Sequence, residues 1–290
     1  MKLQILTATA LLALATAAFA DNQFERTVTV SGQPDLYVNT GSGNIHIHPG
    51  SGNVIHIVGH VHVGGWNTMF GGGDVNARIQ RIVSNPPITQ DGNTVRVGAT
   101  NYDHDLFNNI SIDYDITAPA EVALNLHSGS GDVQVDQLGR YVEAGSGSGN
   151  LVIHGVHGAA ELSTGSGDIE LQETASGDVR AKSGSGNIRI HGLNGGLTAR
   201  TGSGDIEADG RLTGAANLSS GSGDVRLHLT PDAHFNLEAS TGSGDINVRY
   251  PNAPQQGEHN HHHLSGPVNG GGPLLEVRTG SGDVSIDPRA

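Results

Sequence analysis

A four-residue motif, Gly-Ser-Gly followed by Asp or Asn, recurs through the chain and constrains its fold more than any other feature. Between residues 132 and 245 its last residue returns every 18 to 21 positions, and a longer gap then crosses residues 251–273. A unit this short has room for two strands and two turns, and it cannot bury a hydrophobic face alone. We call the motif the tetrad; its last residues are Asn44, Asn53, Asp132, Asn150, Asp168, Asn187, Asp205, Asp224, Asp245 and Asp283.

The residues on both sides of each tetrad alternate between apolar and polar types. In one repeat, Ala160 and Leu162 precede the tetrad, and Ile169 and Leu171 follow it. A period of two over about five residues indicates a half-buried strand. A second glycine marks the other end of each repeat, at Gly139, Gly158, Gly177, Gly195 and Gly214. The pattern predicts an all-β fold, a flattened parallel β-solenoid (a two-sheet β-helix) with 18 or 19 residues in a typical coil.

We interpret the tetrad as an architectural turn. Glycine at both corners of a coil permits positive φ and close stacking of the backbone, and Asp or Asn can accept a local backbone N–H. A calcium-binding β-roll is the alternative, but Asn150 and Asn187 interrupt the column of carboxylates and only one turn per coil carries the motif. The predicted structural turn residues are Asp132, Asn150, Asp168, Asn187, Asp205, Asp224, Asp245 and Asp283.

Stacking in register would align the outward residues that follow each tetrad into columns. The first column reads Gln134, Val152, Glu170, Arg189, Glu207, Arg226 and Asn247, and the second reads Asp136, His154, Gln172, His191, Asp209, His228 and Arg249. Glu and Arg alternate through four coils of the first column. Opposite charges on neighbouring strands favour this register.

The ends of the chain depart from the repeat. Residues 1–20 combine Lys2, an apolar run and a small-residue site at Ala18-Phe19-Ala20, so they read as a signal peptide. We expect N-terminal β strands and an irregular β cap over residues 21–121, and the solenoid over 122–290. A His/Gly/Pro-rich loop at 251–273 is expected to interrupt the solenoid and to lie outside the repeat, and no convincing helical period follows residue 20.

Composition narrows the function classes. The 290 residues include no Cys, which excludes disulfides, thiolate metal sites and Cys nucleophiles. A formal net charge of −14 disfavours nucleic acids and anionic membranes as partners. Beyond the signal peptide, no apolar stretch approaches the length of a membrane span. We expect an exported protein, in the periplasm, on the cell surface or outside the cell, and not an integral membrane protein.

The segment at 112–119, Ile-Asp-Tyr-Asp-Ile-Thr-Ala-Pro, followed by the tetrad at 129–132, resembles the bacterial putative-adhesin family with serial GSGD repeats. That family is related to the head domain of putative autotransporter adhesins. The similarity covers roughly residues 27–287. It implies a secreted, non-enzymatic β-solenoid that binds an unknown surface ligand, a glycan or a protein, or that acts as a scaffold. It brings no catalytic residue and no cofactor.

Histidine is the one unusual functional residue, with 16 His against 2 Lys. Tracts of His can bind Zn²⁺, Ni²⁺ or Cu²⁺, so a metal- or glycan-binding module is the alternative function. A polysaccharide-active enzyme is less favoured, because no acidic cluster stands out on one face. The candidate metal ligands, which we rank below a structural interpretation, are His46, His48, His60, His62, His259, His261, His262 and His263.

Overall fold

The computed structural model describes residues 22–64, 72–98, 104–173, 175–254 and 262–289. Over these residues the chain forms one sheet of 22 strands and two helices. The strands are β1 (Gln23–Thr29), β2 (Asp35–Thr40), β3 (Ile45–Pro49), β4 (Val54–Val63), β5 (Ile88–Asp91), β6 (Thr94–Gly98), β7 (Ile110–Ala118), β8 (Ala123–Ser128), β9 (Val133–Asp136), β10 (Tyr141–Ser146), β11 (Leu151–Val156), β12 (Ala159–Thr164), β13 (Ile169–Glu173), β14 (Val179–Ser183), β15 (Ile188–Thr201), β16 (Ile206–Ser220), β17 (Val225–Leu229), β18 (Phe235–Thr241), β19 (Ile246–Val248), β20 (His263–Val268), β21 (Leu274–Thr279) and β22 (Val284–Pro288). The helices are α1 (Gly72–Ser84) and α2 (His104–Phe107).

Each coil contains a strand, a tetrad, a second strand and a second corner. The strands before the tetrads pair in parallel with one another and form the pre-tetrad face; for example, Val142 of β10 lies between Leu124 of β8 and Ala160 of β12. The strands after the tetrads form the post-tetrad face in the same way. The long strands β15 and β16 pass through the second corner and join the two faces. The expected parallel β-solenoid is confirmed.

The inward residues of the two faces form one continuous core. Leu126, Ala144, Leu162 and Ala181 follow one another up the pre-tetrad face, and none is more than 3% exposed. The two Ala residues keep the faces close together at their coils, while the Leu side chains fill the space at theirs. The core therefore continues from coil to coil without a break between separate units.

The order of coils in space differs from their order in the sequence at both ends. The coil β2–β3 lies between β6–β7 and β8–β9. Likewise, the last coil, β21–β22, lies between β16–β17 and β18–β19. The stack therefore includes residues 35–49, which precede the boundary expected at residue 122.

The column register agrees with the sequence pattern through four coils. Glu170 lies opposite Arg189, which lies opposite Glu207, and Arg226 follows. The inserted coil adds one member to each column. Ser285 lies between Arg226 and Asn247, and Asp287 lies beside His228.

Two helices occur in the N-terminal cap, so the expectation of no helix after residue 20 is wrong. In α1, residues Val75, Ile79, Ile82 and Val83 follow helical spacing and lie on one side. Ile79 and Ile82 are 1% exposed, and the helix packs against β1 and β4. Sequence reasoning missed this period, which the four apolar residues carry. The cap also contains the antiparallel strand pair β5–β6 around Gly92 and the strand β7, which ends before Pro119.

The segment at 251–273 also differs from expectation, because part of it is a strand of the sheet. β20 pairs antiparallel with β18, and its residues Leu264 and Val268 are buried. β20 covers the edge of β18 that β21 leaves free. If that edge were exposed, its unpaired backbone groups could pair with other chains. The expectation of a loop is therefore wrong for residues 263–268, although this strand does lie outside the tetrad repeat.

Candidate functional site

A buried hydroxyl precedes each of nine stacked tetrads. The Gly167 N–H donates to Oγ1 of Thr164 at 3.1 Å, and that hydroxyl donates to the Gly149 carbonyl of the preceding coil at 2.8 Å. One side chain thus satisfies two backbone groups where the strand ladders stop. Sequence reasoning missed this set, although Ser or Thr before Gly-Ser-Gly was its signal. Its members are Thr40, Ser128, Ser146, Thr164, Ser183, Thr201, Ser220, Thr241 and Thr279.

The Asp and Asn residues of the tetrads form a ladder between coils. Each Oδ1 accepts the backbone N–H of the equivalent residue in the adjacent coil, as Asp168 does from Asn187 at 2.7 Å. We expected a bond within the same turn; the donor lies instead in the neighbouring coil. Nine such bonds join, in spatial order, Asp113, Asn44, Asp132, Asn150, Asp168, Asn187, Asp205, Asp224, Asp283 and Asp245.

The second oxygen of several tetrad aspartates faces an arginine. Arg226 lies 3.5 Å from Asp205 and 2.5 Å from Asp224, and Arg189 lies 3.9 Å from Asp168. The arginines of the first column therefore reach sideways to the tetrad corner. With one oxygen bound to backbone and the other near a cation, these carboxylates already have partners within the fold.

The glycines of the stacked tetrads, with the exception of Gly41, are required by close approach and not by positive φ. A Cβ on Gly149 would lie 2.0 Å from the Gly131 carbonyl oxygen, which belongs to the backbone of the next coil. The stacked tetrads contain no residue of positive φ among those described. Positive φ occurs at the second corner instead, at Gln137, Gly139, Gly155, Gly192 and Gly210. The expectation of positive φ is therefore wrong for the tetrad corner, and of the five glycines predicted at the second corner only Gly139 has it.

An open groove runs along the second corner on the post-tetrad face. It has a volume of about 470 Å³. Its lining is mostly amide, imidazole and carboxylate: His48, Pro49, Asp136, Gln137, His154, Gly155 and Gln172. The side chains come from strands β3, β9, β11 and β13, which lie side by side. The groove thus crosses four coils.

Two of the predicted histidines converge on one carboxylate beside this groove. His46 Nε2 lies 3.0 Å from Asp136 Oδ2, and His48 Nδ1 lies 3.7 Å from the same oxygen. The two imidazole centroids are 3.6 Å apart. Within the described part of the chain, His46, His48 and Asp136 are the one group of three ligand-type side chains whose ligand atoms all lie within 4.8 Å of one another. Sequence reasoning placed Asp136 in the second column but did not join it to the histidines.

The other predicted histidines lie elsewhere. On β4, His60 is exposed and His62 Nε2 lies 2.9 Å from Asp113 Oδ2. His262 Nδ1 lies 3.1 Å from the Gly244 carbonyl oxygen, and His263 is exposed at the start of β20. The remaining two candidates, His259 and His261, lie outside the described residues.

The electrostatic setting of Asp136 favours its charged form. Burial alone would raise its pKa, but hydrogen bonds from His46 and Gln134 and the nearby imidazoles outweigh burial and hold the pKa below its ordinary value. The carboxylate therefore remains an acceptor at neutral pH.

The carboxyl of Glu173, also at the second corner, has its pKa raised and not lowered. Glu173 is 6% exposed, and its Oε2 accepts the Asn194 N–H at 3.2 Å, while Oε1 is buried without a hydrogen-bond partner among the described residues. Burial, with the charge of Asp178 nearby, raises the pKa of Glu173 to about 7.

Neither described helix is long and apolar enough to cross a lipid bilayer.

Comparisons with known proteins place the chain in a family. No curated protein is significantly similar to it. The crystal structure of a putative cell adhesion protein from Clostridium sporogenes matches at 12% identity, covering 92% of this chain and 100% of that one, with a TM-score of 0.25. That of a putative adhesin from Bacteroides fragilis matches at 12% identity, covering 91% and 96%, with a TM-score of 0.37. Both TM-scores are low, so membership rests on the sequence profile. The profile of the Toastrack DUF4097 family matches residues 15–287, and the chain belongs to that family.

Proposed function

We propose that the chain is an exported, non-enzymatic binding or scaffolding protein of the adhesin kind, and that it meets its ligand with the post-tetrad face. The observation that carries this proposal is the polar groove across β3, β9, β11 and β13. Its lining offers amide, imidazole and carboxylate groups that can donate and accept hydrogen bonds. A glycan, whose surface is rich in hydroxyls, suits such a lining better than an apolar ligand does.

The polar groups of the tetrad corner and those of the post-tetrad face differ in whether they already have partners, and this difference supports the choice of face. Tetrad carboxylates accept backbone N–H groups of the adjacent coil, and those of Asp168, Asp205 and Asp224 also face arginines, so they are poorly placed to act on a ligand. The outward columns of the post-tetrad face, in contrast, repeat from strand to strand at about 4.8 Å. A ligand of repeated units can contact outward polar side chains on several coils, and each contact adds to affinity.

A glycan array probed with the purified protein in EDTA tests the proposal. The double variant Glu170→Ala with Gln172→Ala removes two outward side chains of β13, and we expect it to lose most binding. The matched control, Glu161→Ala with Ser163→Ala, alters the exposed side of β12 in the same coil on the pre-tetrad face. It should bind like the parent. Equal loss in both variants, or hydrolysis of a bound glycan, would overturn the proposal. If the protein bound no glycan but did bind a protein, the ligand class would be protein and not glycan.

Export is a separate part of the proposal. It rests on the sequence of residues 1–20, which lie outside the described residues. N-terminal sequencing of the protein from cell fractions should find Asp21 as the first residue, in a fraction outside the cytoplasm. An intact N-terminus in the cytoplasmic fraction would refute export while leaving the ligand-binding experiment unaffected.

A further inference from the structure

We propose that His46, His48 and Asp136 form a binding site for a divalent transition metal ion of the zinc type. The site does not depend on the identity of any surface ligand. It is carried by the convergence of two imidazoles on one carboxylate oxygen, at 3.0 and 3.7 Å.

The local fold explains why these three side chains meet. His46 and His48 are two residues apart in β3 and therefore point to the same side of the sheet. β9 pairs in parallel with β3, and Gln134 lies opposite His46. Asp136, two residues further along β9, consequently lies beside His48. All three side chains are held on paired strands and not on loops, so their separation is fixed by the sheet.

The separations suit a metal ion. Zinc bonds to nitrogen and oxygen are about 2.0–2.1 Å long, so two ligand atoms of a tetrahedral site lie about 3.3–3.4 Å apart. The two separations from Asp136 Oδ2, 3.0 and 3.7 Å, lie on either side of this value.

An ordinary surface ion pair explains the arrangement less well. The centroids of His46 and His48 are only 3.6 Å apart, so two imidazole rings lie side by side at one carboxylate oxygen. A metal ion accounts for this arrangement, because imidazole and carboxylate groups are among its usual ligands. The pair His191–Asp209, at 2.6 Å, shows the contrasting case of one imidazole with one carboxylate in the same column.

The surroundings supply the outer contacts that metal ligands usually have. With Nδ1 of His48 turned toward the site, its other nitrogen, Nε2, lies 3.5 Å from Asp115 Oδ1. The Asp136 carboxylate receives the Gln134 amide, at 3.3 and 3.4 Å from its two oxygens, and His154 Nδ1 lies 3.8 Å from Oδ1. Three protein ligands leave a coordination position free for water, and the site lies beside the groove. Two imidazoles and one carboxylate favour zinc, nickel or copper over calcium or magnesium.

Isothermal titration with zinc chloride tests the site, and the His-rich segment must first be removed as a competitor. We therefore use a background variant in which His259, His261, His262 and His263 are replaced by Asn. This background should still bind one zinc ion per chain. Zinc binding that disappears in the background variant would show adventitious binding by the segment only and would overturn the proposal.

Single substitutions in this background assign the ligands. His46→Gln and Asp136→Asn should each weaken zinc binding by at least tenfold, and Asp115→Asn should weaken it by about tenfold through the orientation of His48. His191→Gln is the matched control, since it removes a carboxylate-paired histidine of the same surface, and it should leave the affinity unchanged. Thermal melts without metal confirm that each variant folds. Unchanged affinity in both His46→Gln and Asp136→Asn would refute the site.

Cobalt substitution gives a second, spectroscopic readout. Co²⁺ bound by His46, His48, Asp136 and water should show the strong visible absorption of a tetrahedral ion, and His48→Gln should abolish it. A weak octahedral spectrum that is the same in the parent and in His48→Gln would overturn the assignment.

Discussion

The tetrad corner and the second corner face each other across every coil, yet they are built on different principles. At the tetrad corner, the same hydroxyl, glycine and Asp or Asn recur, and their polar atoms bind the next coil. At the second corner, the backbone changes from coil to coil, with bulges in β11 and β15 and a buried Glu173. A residue repeated in every coil is therefore structural, whereas the variable corner is where side chains are free to acquire a function.

The largest effect is expected when one methyl group is added to a tetrad glycine. In Gly147→Ala the new Cβ would lie 2.2 Å from the Gly129 carbonyl oxygen, so one coil must move away from the next. We expect a loss of about 3 kcal/mol in the free energy of unfolding, measured by urea denaturation. Gly41→Ala is the matched control at the same tetrad position, since no described atom lies within 4 Å of its Cβ. It should change stability by less than about 0.5 kcal/mol; equal effects in the two variants would show that coil contact does not select this glycine.

At the second corner we expect a substitution to increase stability instead, because the buried carboxyl of Glu173 opposes folding at alkaline pH. The pKa of Glu173 is raised to about 7 in the folded chain, above its ordinary value of 4.5. The folded state therefore holds the proton more tightly, and stability falls as pH rises from 4.5 toward 7 and then levels off. Glu173→Gln removes this titration and should stabilise the protein by about 2 to 3 kcal/mol at pH 8 and by little at pH 4.5.

Urea denaturation from pH 4.5 to 8 measures the Glu173 effect. Glu161→Gln, at an exposed position of β12, is the control and should run parallel to the parent at all pH values. A parallel profile for Glu173→Gln as well would mean that the carboxyl is solvated in the folded state.

The contrast between the regular tetrad corner and the variable second corner also explains which parts of the fold could be predicted from the sequence. Tetrad spacing and period-two alternation predicted the coils, and the alternation of Glu170, Arg189 and Glu207 predicted their register, because these signals repeat locally. The ladder of Asp and Asn residues was not predicted as a contact between coils. A side-chain oxygen can accept an N–H within its own turn or from the next coil, and only the stacking distance decides between them.

The candidate metal site depended on information that the repeat does not hold. His46 and Asp136 are 90 residues apart, and they meet because residues between them form the cap and allow β3 to pair with β9. Strands of the same pattern can pair in many orders, so the sequence did not specify this neighbour. The occurrence of both His and Asp in the second column was the available signal for a His–Asp contact.

A smaller effect separates the structural role of the tetrad aspartates from calcium binding. Asp205 Oδ1 accepts the Asp224 N–H at 2.8 Å. Asp205→Asn keeps that oxygen and should be nearly neutral, whereas Asp205→Ala leaves the N–H without its acceptor and should cost about 1 kcal/mol. Thermal melts in EDTA and in millimolar Ca²⁺ should coincide for all three proteins. A parent that is unfolded in EDTA, or an Asn variant as unstable as the Ala variant, would support the calcium alternative.

The smallest expected effect tests the exposed column that links the two corners. Arg189 lies between Glu170 and Glu207 on neighbouring strands and 3.9 Å from Asp168. Arg189→Glu places three acidic side chains in a row, and exposed pairs of this kind are worth a few tenths to about 1 kcal/mol. The loss should grow at low salt, where screening is weaker.

The overall negative charge complicates this measurement, since any Arg→Glu substitution adds two negative charges to a chain whose formal net charge is already −14. Arg200→Glu on the pre-tetrad face makes the same change of charge, but its neighbours are Lys182 and Ser219. It should be neutral or slightly stabilising, because the new carboxylate faces a cation. The difference between the melting temperatures of the two variants, followed from low to high salt, isolates the local contribution. If the two variants lose equal stability at every salt concentration, general repulsion and not the alternation of neighbours governs the column.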